Sequence, residues 1–212
     1  MQNAFGLNIP MTLEDVCNPD KMALLVYDMQ VGIIGQLSGG AAFIQQVKTV
    51  VDAARTHRLR IFFSRHTTLP NEVAGVSQLK GAMKLQQVAN VADVKPNLLP
   101  NSSPHAIVPQ LQPLTSEVAF DKLTMSAFVG SYLDLALRDA RIEAIAISGA
   151  VLEIGVEPTV RHAVDLGYVP VLIQDACYSF SEQNRARSLE NLRSMSLMTD
   201  IATFSKTLQK LR

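Results

Sequence analysis

Short, continuous runs of apolar residues alternate along the chain with longer stretches in which apolar residues recur every three or four positions. Continuous runs are typical of strands covered on both faces, and the longer spacing is typical of amphipathic helices. The runs predict strands at Lys21–Asp28, Arg60–Ser64, Glu117–Phe120, Ala144–Ile147 and Val169–Gln174, with a sixth at Asp200–Phe204. The helical spacing predicts helices at Ala41–Arg58, Ser131–Arg141 and Ser181–Ser196, another from about Gly155 to Gly167, and one near Lys80–Val91.

Strand and helix alternate along the whole chain. This order predicts a three-layer α/β/α sandwich with a mostly parallel sheet of about six strands. Residues 66–116 contain several Pro and Asn residues and are predicted to form an excursion over the mouth of the sheet. Residues 1–20 have no clear period and are predicted to be an N-terminal arm, which either lies over a neighbouring subunit or is a mobile tail. With no repeat or linker, residues 1–212 are predicted to be a single domain.

Composition narrows the possible partners. Of 212 residues, 48% are hydrophobic and 18% are charged, and the formal net charge is zero, which is typical of a compact globular protein. The sequence has no basic stripe of the kind that indicates a nucleic-acid partner, and no apolar stretch is long enough to span a bilayer. The N-terminus does not have the pattern of a secretory signal, and two cysteines favour a reducing, cytoplasmic location. The low charge fraction favours a homo-oligomer.

Two charged residues follow predicted strands. Asp28 ends the first strand, and Lys122 follows the short third strand. Ligands of open parallel sheets bind at the carboxyl ends of the strands, so both side chains are predicted to lie at one rim. A lysine beside a carboxylate in a half-buried cleft holds that carboxylate ionised. The alternatives are a helix cap or loop ion pair for Asp28 and an ordinary surface lysine for Lys122.

The stretch from Glu143 to Gly167 predicts a strand that leads directly into a helix. We expect a tight turn at Ser148–Gly149, a short apolar crossing and a helix that begins near Gly155, with Pro158 in its first turn. The free amides of such a helix start suit an oxyanion or a carboxylate. An ordinary strand-to-helix connection is the alternative.

Together, three motifs resemble the isochorismatase-like hydrolase superfamily, also called the cysteine hydrolases. They are LLVYDMQ, FDKLTMSAF followed by LDLALR, and SGAVLEIGVEPTVRHAVDLGYVPVLIQDA, and the resemblance covers about residues 21–198. It implies a catalytic set of Asp, Lys and Cys, in which Asp28 and Lys122 match and the cysteine position falls on Gly155. It also implies a non-proline cis peptide at Ala150–Val151. The amides of Val151 or Leu152 and of Gly155 would then form an anion-binding pocket.

Gly155 separates two readings of this resemblance. Amidase members attack a carbonyl with a thiolate, which glycine cannot supply. Isochorismatases proper have glycine here and cleave a vinyl ether with water, with the aspartate as proton donor. The resemblance therefore implies a hydrolase of a small anionic or carbonyl-containing metabolite, with Asp28 and Lys122 as its acid/base pair.

The helix sequence VEPTVRHA is closer to the amidase branch. The alternative is a catalytically silent member, derived from a Cys-dependent amidase, that binds a small ligand or scaffolds an oligomer. A receiver-like or nucleotide-binding module is disfavoured because no Gly-rich phosphate loop links a strand to a helix.

Metal ligands are scarce in the sequence. Nicotinamidase-type members carry an Asp-x-His zinc motif after the second strand, whereas this chain has Ser64-Arg65-His66. We therefore predict no metal and no cofactor, and His66 either lines the pocket or hydrogen-bonds locally. Phe128 is a candidate wall of the substrate pocket, with a core aromatic as the alternative.

Overall fold

The structure, a computed structural model, describes residues 1–210. Its strands are β1 (Gln2–Ala4), β2 (Leu7–Ile9), β3 (Met22–Tyr27), β4 (Arg60–His66), β5 (Val118–Lys122), β6 (Ala144–Ala150), β7 (Val169–Tyr178) and β8 (Leu197–Thr199). Its α-helices are α1 (Leu13–Val16), α2 (Val31–Ile34), α3 (Gly40–Thr56), α4 (Val76–Gln86), α5 (Leu133–Asp139), α6 (Glu157–Asp165), α7 (Glu182–Leu192) and α8 (Ile201–Gln209). A π-helical turn, Leu152–Val156, precedes α6.

The central sheet has six strands in the order β5-β4-β3-β6-β7-β8. Every neighbouring pair is parallel. This confirms the predicted α/β fold with a parallel sheet. Since all six strands run in the same direction, their carboxyl ends lie along one edge, where loops from different parts of the chain meet.

Alternate residues of β3 face two separate hydrophobic cores. Leu24 and Val26 pack in one core with α3 and α8, and Leu25 and Tyr27 pack in the other with α5 and α6. All of β3 is buried, as the continuous apolar run predicts for a strand covered on both faces. The two cores give the chain its three layers.

The predicted turn at Ser148–Gly149 is wrong, because β6 continues through both residues to Ala150. Gly149 has a φ of +131°, and a Cβ built there would lie 2.7 Å from the backbone nitrogen of Tyr27. Glycine therefore serves a close approach of β6 to β3 instead of a turn. The predicted helix start near Gly155 falls inside the π-helical turn, and Pro158 lies in the first turn of α6 as expected.

The predicted sixth strand at Asp200–Phe204 is also wrong. The side chain of Asp200 accepts a hydrogen bond from the amide of Thr203 at 2.7 Å and caps the N-terminus of α8. Phe204 and Leu208, four residues apart, are buried on one face of that helix. The sixth strand is β8, directly before the cap.

The remaining differences concern loops. Helix α4 begins and ends earlier than predicted, and Gln87, with a φ of +54°, terminates it. His66 is the last residue of β4, and the rest of residues 66–116 is loop with short 3₁₀ turns. Residues 1–20 form an antiparallel hairpin of β1 and β2, followed by α1. Ser181 caps α7 by accepting from the amide of Asn184 at 3.1 Å. No helix within residues 1–210 is long and apolar enough to cross a membrane.

Replacing Gly149 with alanine is expected to lower the free energy of unfolding by about 2 kcal/mol or more, because the new Cβ meets the β3 backbone at an unfavourable φ. Urea unfolding measures the loss. Gly167→Ala is the matched control, because Gly167 also has a positive φ, +87°, but open space around it. Equal losses in the two variants would contradict the close approach of β3 and β6.

Candidate active site

A buried ion pair lies where β3 and β5 end. The Lys122 ammonium is 2.7 Å from Asp28 Oδ2. Asp28 is 4% exposed and Lys122 is 2% exposed. The structure therefore brings together the two charged residues that the sequence placed at one rim. Lys122 is therefore not the surface lysine that was its alternative, and the partner of Asp28 is this buried lysine.

Ser64 is a member of this group that sequence reasoning missed. Its hydroxyl donates to Asp28 Oδ1 at 2.6 Å, and its carbonyl accepts from the Asp28 amide at 3.2 Å. The strand β4 that carries Ser64 lies between β3 and β5. Its signal in the sequence was its place in Ser64-Arg65-His66, where we considered it only as a missing metal ligand. The structure makes it a direct partner of the carboxylate.

Lys122 is held from several sides. Its ammonium donates to the Thr124 carbonyl at 3.2 Å and lies 4.3 Å from the centroid of the Tyr27 ring. Burial lowers the pKa of Lys122, and the Asp28 carboxylate opposes that shift. The ammonium is therefore positioned by a carboxylate, a carbonyl and an aromatic face.

A cavity of about 160 Å³ opens above the ion pair. Of the candidate residues from the sequence, Asp28, His66, Lys122, Val151 and Gly155 line it. Its other polar side chains are those of Tyr27, Gln36 and Asn97, and its apolar ones include those of Ile33, Leu85, Leu98, Met125, Ile154 and Phe180. Because Leu85, Asn97 and Leu98 belong to residues 66–116, that segment does lie over the mouth of the site.

Two expected pocket residues lie elsewhere. The ring of Phe128 packs against those of His162 and Tyr168, at centroid distances of 5.5 and 5.9 Å, inside the second core. Leu152 is completely buried in the same core. The expectation that Phe128 walls the pocket is therefore wrong. Phe180, which follows β7 and is half exposed, is the aromatic residue of the cavity wall.

The connection from β6 to α6 is built around Val151. The Ala150–Val151 peptide is cis, as the resemblance implied. The amides of Ile154, Gly155 and Val156 all donate to the Val151 carbonyl, at 3.3, 3.0 and 3.2 Å. The expectation that the Gly155 amide binds an anion is therefore corrected, because that amide is used inside the turn. Val151 itself lines the cavity.

Tyr27 fills the space beside Gly155. A Cβ built on Gly155 would lie 2.5 Å from Cε1 of the Tyr27 ring, and still closer to its hydroxyl end. The hydroxyl donates to the Met125 carbonyl. Burial raises the pKa of Tyr27 well above its ordinary value, and the nearby Asp28 carboxylate adds to that rise. A protonated phenol thus stands where a side chain at residue 155 would be.

His66 is anchored through its backbone. Its amide donates to Gln30 Oε1 at 2.7 Å, and Gln30 Nε2 donates to the carbonyls of His66 and His105, both at 2.9 Å. Burial lowers the pKa of the His66 imidazole, with a further contribution from Lys122, so the ring is uncharged at neutral pH. Within the described chain, no three His, Cys, Asp or Glu residues are grouped as metal ligands.

Comparison with known proteins agrees with this fold. Residues 22–203 match the isochorismatase domain. Since the match covers most of the chain, the protein belongs to the isochorismatase family of hydrolases.

Relatives and solved structures resemble nearly the whole chain. The uncharacterized isochorismatase family protein YwoC of Bacillus subtilis is 30% identical over 170 residues, 80% of this chain and 84% of YwoC. Ureidoacrylate amidohydrolase RutB of Agrobacterium fabrum is 26% identical over 184 residues, 80% of this chain and 79% of RutB. An isochorismatase family protein from Burkholderia thailandensis is 25% identical, with a TM-score of 0.74 over 90% of this chain and 96% of that one.

The uncharged state of His66 predicts a loss of stability in mild acid. Its folded-state pKa lies below the ordinary value of 6.5, so the unfolded chain takes up this proton more readily. The contribution is fully present above the unfolded pKa and declines as the pH falls through 6.5 towards the folded pKa. Urea unfolding between about pH 7 and pH 5 measures it.

We expect His66→Gln to flatten this pH dependence. Part of the slope should remain, because burial also lowers the pKa of His105. His105→Gln serves as the matched variant, and the double substitution should be flatter than either. A slope unchanged by His66→Gln would show that this imidazole titrates alike in the folded and unfolded chains.

Proposed function

We propose that this protein hydrolyses a small carbonyl-containing metabolite by attack of water, with Asp28 and Lys122 as the acid/base pair and without a covalent intermediate. The observation that carries the proposal is the buried Asp28–Lys122 pair at the base of a cavity. The residue at the nucleophile position is Gly155, which supplies no attacking atom. Membership of a hydrolase family supports the reaction type.

Asp28 has the capacity for the proton transfers. A carboxylate has about four lone-pair sites, and the contacts with Ser64 and Lys122 occupy one on each oxygen. A lone pair that faces the cavity can accept a proton from water as the water oxygen bonds to the substrate carbonyl carbon. Collapse of the tetrahedral intermediate then breaks the bond to the leaving group, which takes that proton from Asp28. Lys122 stabilises the charges that develop during both steps.

The charges around the cavity favour an uncharged substrate. Among the described residues that line it, Asp28 and Lys122 are the charged ones, and each neutralises the other. His66 is neutral, so no unpaired cation is available to a substrate carboxylate. The relative named ureidoacrylate amidohydrolase supports a carbonyl at the bond that is cleaved, over a vinyl ether such as that of isochorismate. It does not bear on the charge of the substrate, because ureidoacrylate is itself a carboxylate.

A catalytically silent role is the second candidate. The observation that favours it is the Tyr27 ring, which takes up the space beside Gly155 and leaves a cavity of only about 160 Å³. A silent relative would bind a small ligand in this cavity or serve as a subunit of a homo-oligomer. The two candidates differ in turnover.

Asp28→Asn and Lys122→Met are each expected to lower hydrolysis by at least about 100-fold, the scale of a general acid or base. The assay is a screen of isochorismate, amides and carbamates with each purified protein, checked for folding by circular dichroism. Asp121→Asn is the matched control in β5, because Asp121 is exposed and pairs with Arg65. Turnover that survives loss of Asp28 would contradict the mechanism, and no turnover by wild type would favour the silent role.

Neutral ligands are expected to bind at least about ten-fold more tightly than carboxylates of the same shape, because the cavity offers no unpaired cation. Benzamide with benzoate, and isobutyramide with isobutyrate, form suitable pairs. Isothermal titration calorimetry at pH 7.5 measures both members without any need for turnover. Equal or tighter binding of the carboxylates would contradict the proposed substrate class.

A further inference from the structure

We propose that Tyr27 has two roles in this site: it excludes a side chain, and with it a protein nucleophile, from residue 155, and it positions the Lys122 ammonium. Its phenol occupies the space that any side chain at residue 155 would need, and its ring seats the Lys122 ammonium. The first contact makes Tyr27 and Gly155 an obligatory pair. The second makes Tyr27 a positioning residue for Lys122, and this part rests on the proposed function.

The steric step is carried by the position of the phenol. Tyr27 is only 2% exposed, and the backbone partners of β3 on both sides fix its Cα. The hydroxyl is fixed at the other end by its hydrogen bond to the Met125 carbonyl. A ring held at both ends cannot swing away cheaply from a Cβ that would approach within 2.5 Å of Cε1. A side chain at residue 155 therefore requires a smaller residue at position 27.

The backbone at Gly155 does not itself require glycine. Its φ lies outside the left-handed region, and the residue sits in a helical turn. In a helical interior, alanine is ordinarily favoured over glycine. The obstacle to a side chain at this position is thus Tyr27 and not the backbone. This separates Gly155 from Gly149, where both the backbone angle and the neighbouring strand exclude a Cβ.

The electrostatic step concerns Lys122. Its ammonium lies over the Tyr27 ring at 4.3 Å from the centroid, while Asp28 and the Thr124 carbonyl contact it from other sides. An aromatic face attracts a desolvated cation without competing for its protons. The ring therefore helps to fix the ammonium beside the Asp28 carboxylate, where the proton transfers would take place.

The test of the steric pair is a cycle of stability measurements by thermal denaturation. Gly155→Ala in the wild-type background is expected to lower the melting temperature, because the Cβ displaces the ring. The same substitution in a Tyr27→Leu background is expected to leave the melting temperature unchanged or to raise it, since leucine lacks the ring atoms that clash. In a Tyr27→Phe background it should again lower the melting temperature, because phenylalanine keeps Cε1 and Cζ.

A loss in the wild-type background that is absent or reversed in the leucine background supports the pair. Gly155→Ala that stabilises the wild-type protein would overturn it, and so would an equal loss in all three backgrounds. If Tyr27→Leu does not fold, Tyr27→Met, with its adaptable side chain, supplies the background without the ring. None of these measurements needs turnover, so the pair is tested even where the proposed hydrolysis fails.

The positioning role is tested by kinetics on a substrate that wild type turns over. Tyr27→Leu is expected to lower kcat by about ten-fold with little change in KM, the scale of a desolvated cation–π contact. Tyr27→Phe, which keeps the aromatic face, should retain more of the kcat than Tyr27→Leu. Equal losses in the two variants, or a loss confined to KM, would overturn the role of the ring in seating Lys122.

Discussion

The pairing of Asp28 with Lys122 is the constraint on which the site depends. Two charges that are almost completely removed from water must contact each other and have their other hydrogen-bonding capacity satisfied, or the structure loses several kcal/mol. The parallel order β5-β4-β3 meets that requirement. It places Lys122 and Asp28 on either side of β4, and Ser64 of β4 donates to the carboxylate oxygen that Lys122 does not contact.

The four residues from Tyr27 to Gln30 connect this pair to the rest of the fold. Tyr27 fills the space beside Gly155, Asp28 forms the ion pair and Met29 is buried in the first core. Gln30 is completely buried, and its amide group binds the backbone of His66 and of His105. One side chain therefore ties the end of β4 to the segment that covers the cavity. The hydrogen bonds of Gln30 therefore fix the position of His66 relative to the ion pair.

Much of the fold was predictable because its strands are continuous apolar runs. The run before Asp28 identified a doubly covered strand, and the rim position of Asp28 and Lys122 followed from parallel topology. The errors have a shared physical origin. Ser148–Gly149 has the composition of a turn, yet the neighbouring backbone of Tyr27 decides its role. Asp200 was read as part of a strand because its capping function depends on a helix that begins after it.

The site residues that sequence reasoning missed are those whose roles depend on distant contacts. Ser64 is an ordinary strand residue until β3 places Asp28 beside it, and Phe180 reaches the cavity only because β7 extends beyond its predicted end. Phe128 carried the opposite error, since its position after Lys122 suggested the pocket although its ring packs in the core. Local pattern identifies elements, whereas these assignments require knowledge of which elements are neighbours.

Gly155 is best understood together with Tyr27. Considered in sequence alone, this glycine stands where the family resemblance implies a cysteine. In three dimensions the space is occupied by a protonated phenol that is fixed at both ends. A thiolate at residue 155 and an aromatic ring at residue 27 are therefore mutually exclusive, because they need the same volume. A thiol at residue 155 would require a smaller residue at position 27. The ring that excludes the thiol is also the surface against which the Lys122 ammonium is held.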